Sequence, residues 1–463
     1  MSTERNGEEW SFDTDVVVVG SGGCGLAAAM AAAQGGAEVL VLEKQLRPWS
    51  NTARSGGMIP AAGTRFQEAA GIQEQAEDFA KDIRHKNGSS SDLEMTLHLA
   101  QVSKVMVEWL VDDVGVDLEF IDDFKYPGHS EFRMHAPPSR TGSALVADLR
   151  KAADAHESVE VITDAAGESL VSDAGSVIGV VVRHGSELER VRAQKVILAS
   201  NGFAGNPKMV KEYCPDISSA LYFGGEGNTG EGISWGQELG ADVAFMDAYQ
   251  AHASVAKPEG ILITYAIIME GGIQVNQAGA RFGDESAGYS KHALAVLAQK
   301  DGTAWDIYDE KLHRLALKFE DYRDAMEADA IHVGENAKEL AVKLGINADG
   351  LVATLDEYEA AADGSKEDPF GRANSAHLEP PFYGAKVTGA LFHTQGGLVV
   401  DRDAQVLRGD GSPIPNLYAG GGVAAGLSGH GPGGYLSGNG LLTAIGYGML
   451  AGKHASSSIQ RSE

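Results

Sequence analysis

The sequence predicts an α/β protein in which a Rossmann-like dinucleotide-binding domain is interrupted by an inserted α+β cap domain. Three observations carry that prediction. Near the amino terminus a glycine loop stands between an apolar strand and an alanine-rich helix; a second glycine-rich run precedes a helix near the carboxyl end; and the stretch between them is richer in charged helical segments. The length agrees, because 463 residues exceed what one ordinary core accommodates.

Taken in order, Asp15 to Val19 is an acid followed by a β-branched apolar run, the pattern of a buried parallel strand. Gly20-Ser21-Gly22-Gly23-Cys24-Gly25 follows, then a helix over Leu26 to Gln34 closed by Gly35-Gly36, then a strand over Glu38 to Leu42 ending at Glu43. Glycine lets the chain turn tightly and approach a pyrophosphate, whose charge meets unpaired amides at the positive end of the helix macrodipole; an acid at the end of the second strand accepts from a ribose hydroxyl. Gly20, Gly22, Gly25 and Glu43 are therefore candidate cofactor contacts. Close strand–helix packing alone also explains Gly25, but leaves Glu43 without a purpose. Further strands are expected over Val177 to Val182, Val191 to Ala199 and Pro415 to Ala419, and a helix from Leu441 to about Gly452, with Ala455 to Glu463 a frayed tail. Charged helices over Asp309 to Ala328 and Glu335 to Leu344 mark the insert, placed at 246–389 between the halves 10–245 and 390–463 of the nucleotide domain.

Composition narrows the partners. Hydrophobic residues at 43% and charged residues at 22% fit a folded globule, and a net charge of −28 repels nucleic acid and anionic lipid. Cys24 and Cys214 give neither a disulfide framework nor metal-ligand spacing, which fits a reducing compartment. Met1 to Trp10 has no apolar targeting stretch, and no run of 18 apolar residues crosses a bilayer, so a cytoplasmic location is expected.

These landmarks, in this order, resemble the flavoprotein family of fumarate reductases, succinate dehydrogenases and 3-ketosteroid dehydrogenases. Besides the first glycine loop with Glu43-Lys44, Asn51 to Gly57 looks like the family's second cofactor loop, Asn228-Thr229-Gly230-Glu231-Gly232 like its threonine-glycine turn, and Phe392-His393-Thr394-Gln395-Gly396-Gly397 like its histidine-threonine-x-glycine-glycine sequence. The resemblance implies FAD in an extended pose on a domain of the glutathione-reductase type, with substrate held between cap and flavin ring. It extends the cofactor contacts to Lys44, Ser55, Gly56, Gly57, Asn201, Gly202, Gly421, Ser437 and Leu441. Members that attach FAD covalently use a histidine seven residues before the second glycine of the Gly56-Gly57 pair; Ser50 stands there, so the cofactor is expected to be non-covalent. Gly422 replaces an acid common in the reductases.

The departures at the reacting positions are informative. In fumarate-type reductases an arginine eight residues beyond the arginine of Gly-x-Arg-Phe delivers a proton, fed by a glutamate and a second arginine. Here Gly279-Ala280-Arg281-Phe282 is followed at that distance by Tyr289, and Tyr265 and Ile268 occupy the feeder positions. The arginine that clamps a dicarboxylate, four residues before the asparagine of a Gly-Asn pair, is replaced by Tyr435. One phenol does not substitute for a planar bidentate clamp. Gly434-Tyr435-Leu436-Ser437-Gly438 instead looks like the tyrosine-x-serine-glycine turn of the ketosteroid dehydrogenase branch.

That branch introduces a C=C bond beside a ring ketone, taking a proton from the α carbon while a hydride leaves the β carbon for the flavin. A base is needed on one ring face and a hydrogen-bond donor at the carbonyl oxygen. The resemblance assigns Tyr289 as base, Tyr265 as the neighbour that activates it, and Tyr435 with the Gly438 amide to the carbonyl. His393, Ser437, Gly438 and Arg133 are substrate-binding candidates, with His135 and Arg140 on the same segment as Arg133. The expected activity is desaturation of a cyclic ketone, either a 3-ketosteroid or a smaller ring such as an oxocyclohexanecarboxylate. Reduction of an unsaturated acid on the same fold is the alternative, and a flavin-binding protein that has lost its chemistry is the third. An external electron acceptor is required, and no motif names it.

Overall fold

The computed structural model describes residues 9–373 and 375–460. Strand β1 (Phe12–Val19), helix α1 (Gly23–Gln34) and strand β2 (Val39–Glu43) form in the expected order. Strand β1 starts earlier than its apolar run because its first half is partly exposed and pairs with the strand Glu187–Leu198 from Phe12 onward. The helix starts earlier as well: Leu26 already donates to the Gly22 carbonyl, so the last glycines of the loop belong to the first turn. Five parallel strands make the core of the first sheet, in the order Val159–Thr163, β2, β1, Glu187–Leu198, Pro413–Ala419. An antiparallel pair, Ala165–Asp173 and Ser176–His184, extends it through the strand Glu187–Leu198. This is the parallel sheet of a dinucleotide-binding domain that the sequence landmarks imply.

The second sheet is built on one thirteen-residue strand, Phe382–Thr394, which passes without a break through 389 and 390. Tyr249–Ala256, Thr303–Asp309 and Ile331–Gly334 pair with it antiparallel, and Leu221–Tyr222 pairs with it parallel. The charged segment after Asp309 forms two helices, Glu310–Ala316 and Glu320–Glu327, rather than one. Asp309 caps the first by accepting from the Leu312 amide at 3.0 Å.

The carboxyl-terminal helix runs over Asn439–Ser457, longer at both ends than its sequence signal. Ala455 and Ser456 are buried, which corrects the expected frayed tail up to Ser457; of the remainder, 461–463 lie outside the described residues, as does Met1 to position 8 of the leading segment. This helix lies directly on α1. A Cβ at Gly448 would stand 2.4 Å from the Cys24 carbonyl oxygen, and one at Gly452 2.3 Å from that of Ala28, so only glycine permits the backbones to meet. Among the described residues no helix is long and apolar enough to cross a membrane, and Cys24 and Cys214 are free and buried.

Because the atoms opposing Gly452 are the Ala28 and Ala32 backbone and the Ala31 Cβ, Gly452→Leu cannot be relieved by a side-chain rotation. We expect it to destabilise the protein by at least about 1–3 kcal/mol, seen as a lower urea midpoint at unchanged m-value.

Candidate active site

One large cleft opens between the two sheets, with about 1960 Å³ of space between atoms, solvent at its mouth included. Its walls come from both sheets, and its two ends differ in chemistry. One end is walled by the glycine loop, Glu43, Lys44, Ser55, Gly56, Asn201, Gly421 and Leu441. The other is walled by Tyr126, Arg140, His252, Tyr265, Tyr289, His393, Tyr435, Ser437 and Gly438.

The nucleotide end fits its cofactor on local grounds. Gly20 has φ +110°, and a Cβ there would stand 2.5 Å from the Ala199 carbonyl oxygen. At Gly22, by contrast, a Cβ would meet nothing closer than the Ser50 Cβ at 3.5 Å, so the chain alone does not demand glycine; the position faces the cleft, where a pyrophosphate needs the room. At the start of α1 the Thr52 hydroxyl accepts from the Gly23 amide at 3.2 Å, and Gly22, having no side chain, caps none of the amides that follow at this positive helix end. Glu43 accepts from the Ser21 amide (3.1 Å) and hydroxyl (2.7 Å) and from the Gln45 amide (2.9 Å), which holds its carboxylate at the cleft wall. The Ser200 hydroxyl, buried in the same wall, has no protein partner. Lys44 bridges to Glu231 at 2.9 Å and Thr229 at 3.2 Å, tying the end of β2 to the threonine-glycine turn. Asn51 joins three segments: its Oδ1 accepts from the Gly225 amide and the Asn228 amide group, and its Nδ2 donates to the Phe392 carbonyl at 3.2 Å.

Three of the expected cofactor glycines stand behind the wall instead. Gly25, Gly57 and Gly202 do not line the cleft; a Cβ at each would collide with Gly20 O at 1.8 Å, Thr141 O at 2.8 Å and Thr394 Oγ1 at 2.1 Å respectively. Their glycines serve chain packing.

At the other end an aromatic column forms the wall. Phe223 stacks on Phe392 (4.8 Å between centroids), Phe392 on His252 (5.3 Å) and His252 on Tyr289 (4.8 Å). Tyr289 opens the helix Tyr289–Leu297, launched by Gly288 at φ +136°, and its ring lies 6.2 Å from that of Tyr435. Burial raises the Tyr289 phenol well above its ordinary value, the Tyr435 ring adds to this, and a hydrogen bond with the Ser437 hydroxyl opposes it. Tyr435 is pushed up to about 12 by burial, against which the Gly440 and Gly438 amides at the start of the carboxyl-terminal helix pull it down.

Tyr265 lines the cleft, but its hydroxyl donates to the Glu285 carbonyl at 2.7 Å, so it meets Tyr289 by ring edge only (5.5 Å, 68°) and does not activate that phenol through a hydrogen bond. Glu285 is in turn held by Arg281 at 2.8 Å, with Asp368 on the other arm of that guanidinium at 2.5 Å. The Arg281 landmark therefore braces the loop that leads into Tyr289.

Arg133 does not reach the substrate mouth. It is buried between Glu74, which it contacts closely, and Asp82 at 2.7 Å, and its guanidinium covers Phe79 at 4.6 Å. It donates to His129 Nδ1 at 2.9 Å, and the far nitrogen of that imidazole donates to the Ser437 carbonyl at 3.0 Å. Burial and the Arg133 charge push His129 down to about 3, keeping it neutral. The segment thus supports the Ser437 turn from behind. His135 is buried away from the cleft, 3.0 Å from the Thr64 hydroxyl and between Phe66 and Phe120. Arg140 does line the cleft, paired with Asp123 at 2.8 Å.

His393 and His252 both face the cleft as neutral imidazoles. Gln395 Nε2 donates to His393 Nδ1 at 3.0 Å, and the Ser254 amide donates to His252 Nδ1 at 3.1 Å, leaving the Nε2–H of each ring as a donor. Burial lowers them to about 4 and about 3. His252 and Tyr126 were not singled out by sequence. Alternation along Tyr249–Ala256 carries no sign of which face meets the cleft, since every residue in it is buried, and Tyr126 lies in a loop with no motif around it. Asp321, also at the wall, is raised to about 6 by burial with Asp324 and Glu320 nearby.

The profile of the FAD binding domain family matches residues 15–441. The chain belongs to that family. Within it, the protein is 31% identical over 452 residues to the probable fumarate reductase Ifc3 of Shewanella frigidimarina (strain NCIMB 400), covering 96% of this chain and 75% of that one. It is 26% identical over 550 residues to the 4-oxocyclohexanecarboxylate 2-dehydrogenase of Sinomonas cyclohexanicum, covering 95% and 92%. Among solved structures, the 3-ketosteroid-Δ4-(5α)-dehydrogenase of Rhodococcus jostii RHA1 in complex with 4-androstene-3,17-dione is similar at TM-score 0.75 and 29% identity, covering 97% and 98%. This member of the FAD binding domain family is an FAD-dependent oxidoreductase acting on CH–CH groups, and with Ser50 at the attachment position its FAD is non-covalent.

The open side of Gly22 gives a direct test of the cofactor path. A Cβ at Gly22 meets only the Ser50 side chain, at an ordinary 3.5 Å, so Gly22→Val is expected to keep native circular dichroism while the purified protein loses its flavin absorbance.

Proposed function

We propose that this protein desaturates a cyclic ketone, forming a C=C bond α,β to the carbonyl of a 3-ketosteroid or of a smaller ring such as an oxocyclohexanecarboxylate. The observation that carries the reading is the convergence of Tyr289 and Tyr435 on one cleft wall, with the Tyr435 oxygen backed by the Gly438 and Gly440 amides. Tyr435 donates to the ketone oxygen as enolate charge grows there, and helix amides behind it stabilise that charge by the preorganised electrostatics usual at such sites. Tyr289 takes the α proton. The bound flavin supplies the hydride acceptor for the β carbon. The aromatic column from Phe223 to Tyr289 supports a flat apolar ring, and the Nε2–H donors of His252 and His393 suit a polar substituent on it.

The reverse reading, an ene-reductase of an unsaturated acid, is favoured by the higher identity to the Shewanella protein, and a Tyr289 phenol is able to give a proton as well as to take one. Direction separates the two. Anaerobic addition of a saturated ketone should bleach the flavin of a desaturase; bleaching by no ketone, with rapid reoxidation of dithionite-reduced enzyme by an unsaturated acid, would establish the reductase instead.

Tyr289→Phe should keep the cofactor and slow ketone-driven bleaching by about 10²–10⁴-fold, the usual worth of a positioned base; an unchanged rate rejects the assignment. The pH dependence has a defined sign. A base is active deprotonated, and burial holds Tyr289 above the ordinary phenol value, so kcat/KM should climb about tenfold per pH unit through the neutral and mildly alkaline range. A plateau already reached near neutrality excludes this phenol as the base.

A further inference from the structure

Among the described residues three cationic side chains line the main cleft: Lys44, Arg54 and Arg140. Lys44 is paired with Glu231 at 2.9 Å and Arg140 with Asp123 at 2.8 Å. The Arg54 side chain has neither an ion pair nor a hydrogen bond to any described residue, and its Nε is buried without a partner. Holding a guanidinium in a wall without a counter-charge is costly, and a chain of net charge −28 has acids in plenty to pair with it. The open fork is complementary to an anion that is not part of the protein.

The surroundings of Arg54 narrow the anion down. Its amide donates to the Ser50 carbonyl at 3.0 Å, closing a turn that also carries Asn51, whose side chain donates to the Phe392 carbonyl at 3.2 Å and accepts from the Gly225 amide at 2.7 Å. Burial pushes the Tyr222 phenol up to about 12, and the Asn228 side chain and the Arg54 charge oppose this, so the guanidinium stands near Tyr222. Tyr222 pairs with Leu391 in the second sheet, and the next residue, Phe223, begins the aromatic column that passes through Phe392 and His252 to Tyr289. The cation thus stands by one end of that column, and the Tyr289 phenol forms the other. The glycine loop and the start of α1 already supply a pyrophosphate station, so the anion left to be matched belongs to the second ligand.

Resting on the desaturase reading, we propose that Arg54 binds a carboxylate on the substrate ring, across that ring from the ketone handled by Tyr435 and Tyr289, so that the substrate is a cyclic keto acid rather than a neutral 3-ketosteroid. A six-membered ring with its acid and its ketone on opposite carbons carries the two groups at opposite edges of one apolar body. That pattern corresponds to a wall with a cation at one end, stacked rings along it and phenols at the other. Arg54 acts in binding and takes no part in the transfer of proton or hydride.

The test separates affinity from chemistry. Anaerobic flavin bleaching is followed at increasing concentrations of 4-oxocyclohexanecarboxylate, and of the uncharged 4-oxocyclohexanecarboxamide of nearly the same shape, in the wild-type, Arg54→Lys and Arg54→Gln holoenzymes. Since the Arg54 side chain bonds to no described residue, both variants are expected to keep native circular dichroism and flavin absorbance. In the wild type the acid should half-saturate at a concentration about 10–100-fold below the amide, the usual scale of a charge-assisted pair. Arg54→Gln should raise the half-saturating concentration of the acid by about that factor while the limiting bleaching rate stays within about threefold and the amide is unaffected; Arg54→Lys should fall between. Equal half-saturation by the acid in the wild type and Arg54→Gln overturns the anchor and leaves the desaturase reading standing, as does half-saturation by a saturated neutral 3-ketosteroid at a lower concentration than by the acid. Loss of flavin absorbance in Arg54→Gln assigns the guanidinium to the cofactor and overturns the anchor too. Bleaching of the wild type by none of the three ketones removes the desaturase reading, and the keto-acid assignment with it.

Discussion

Backbone contact between two helices from opposite ends of the chain is the constraint on which the site depends. Gly448 and Gly452 meet the Cys24 and Ala28 carbonyls, so α1 and the carboxyl-terminal helix run side by side in the same direction. Their amino termini both open on the cleft, one at the glycine loop and the other at Gly438. Since Gly448 lies opposite Cys24, the later helix projects about eight residues further, or about 12 Å at 1.5 Å per residue. Parallel dipoles held at contact repel each other, and negative charge at both ends offsets that repulsion. The arrangement suits a ligand with a pyrophosphate at one station and a developing oxyanion at the other.

Around this frame the cap contributes rings. Phe392 and His393 end the strand Phe382–Thr394, His252 comes from its antiparallel neighbour, and Tyr289 begins a helix braced through Arg281, Glu285 and Tyr265. Thr394, one residue on, accepts from the Phe203 amide at 3.1 Å, joining the spine of the second sheet to the first. Tyr289, His252 and His393 are therefore held on regular elements, and Tyr435 lies in the turn that leads into the carboxyl-terminal helix.

How much of this is legible in sequence depends on whether the signal is local. The unit from β1 to Glu43 is legible because its periodicity, its glycines and its acid lie within one short stretch, and Tyr289 and Tyr435 are legible because each falls at a fixed distance from a motif. Arg133 misleads because its partners, Glu74 and Asp82, are some fifty to sixty residues away, and nothing near it in sequence betrays an ion pair. Tyr265 falls at the right position, but its hydroxyl is committed to a carbonyl twenty residues on, a matter of cap geometry. Gly25, Gly57 and Gly202 show the same limit: a glycine required by a neighbouring backbone and one required by a ligand are spelled alike. The last turns of the carboxyl-terminal helix escape notice because their stabilising contact is tertiary, with Ser456 lying against Gly35.

Two buried histidines, His252 and His393, line the substrate end, and two more, His129 and His135, are buried outside the cleft. His129, His135, His252 and His393 are all driven by burial to about 3 or 4, so none of them gains charge on passing from alkaline to mildly acidic solution. The two of them that line the cleft, His252 and His393, are thereby electrically silent in the range where histidine ordinarily acts as a switch. The shifted group that changes charge there is a carboxyl, Asp321 at about 6, so a mildly acidic medium alters the field over a bound ring from the cap side alone.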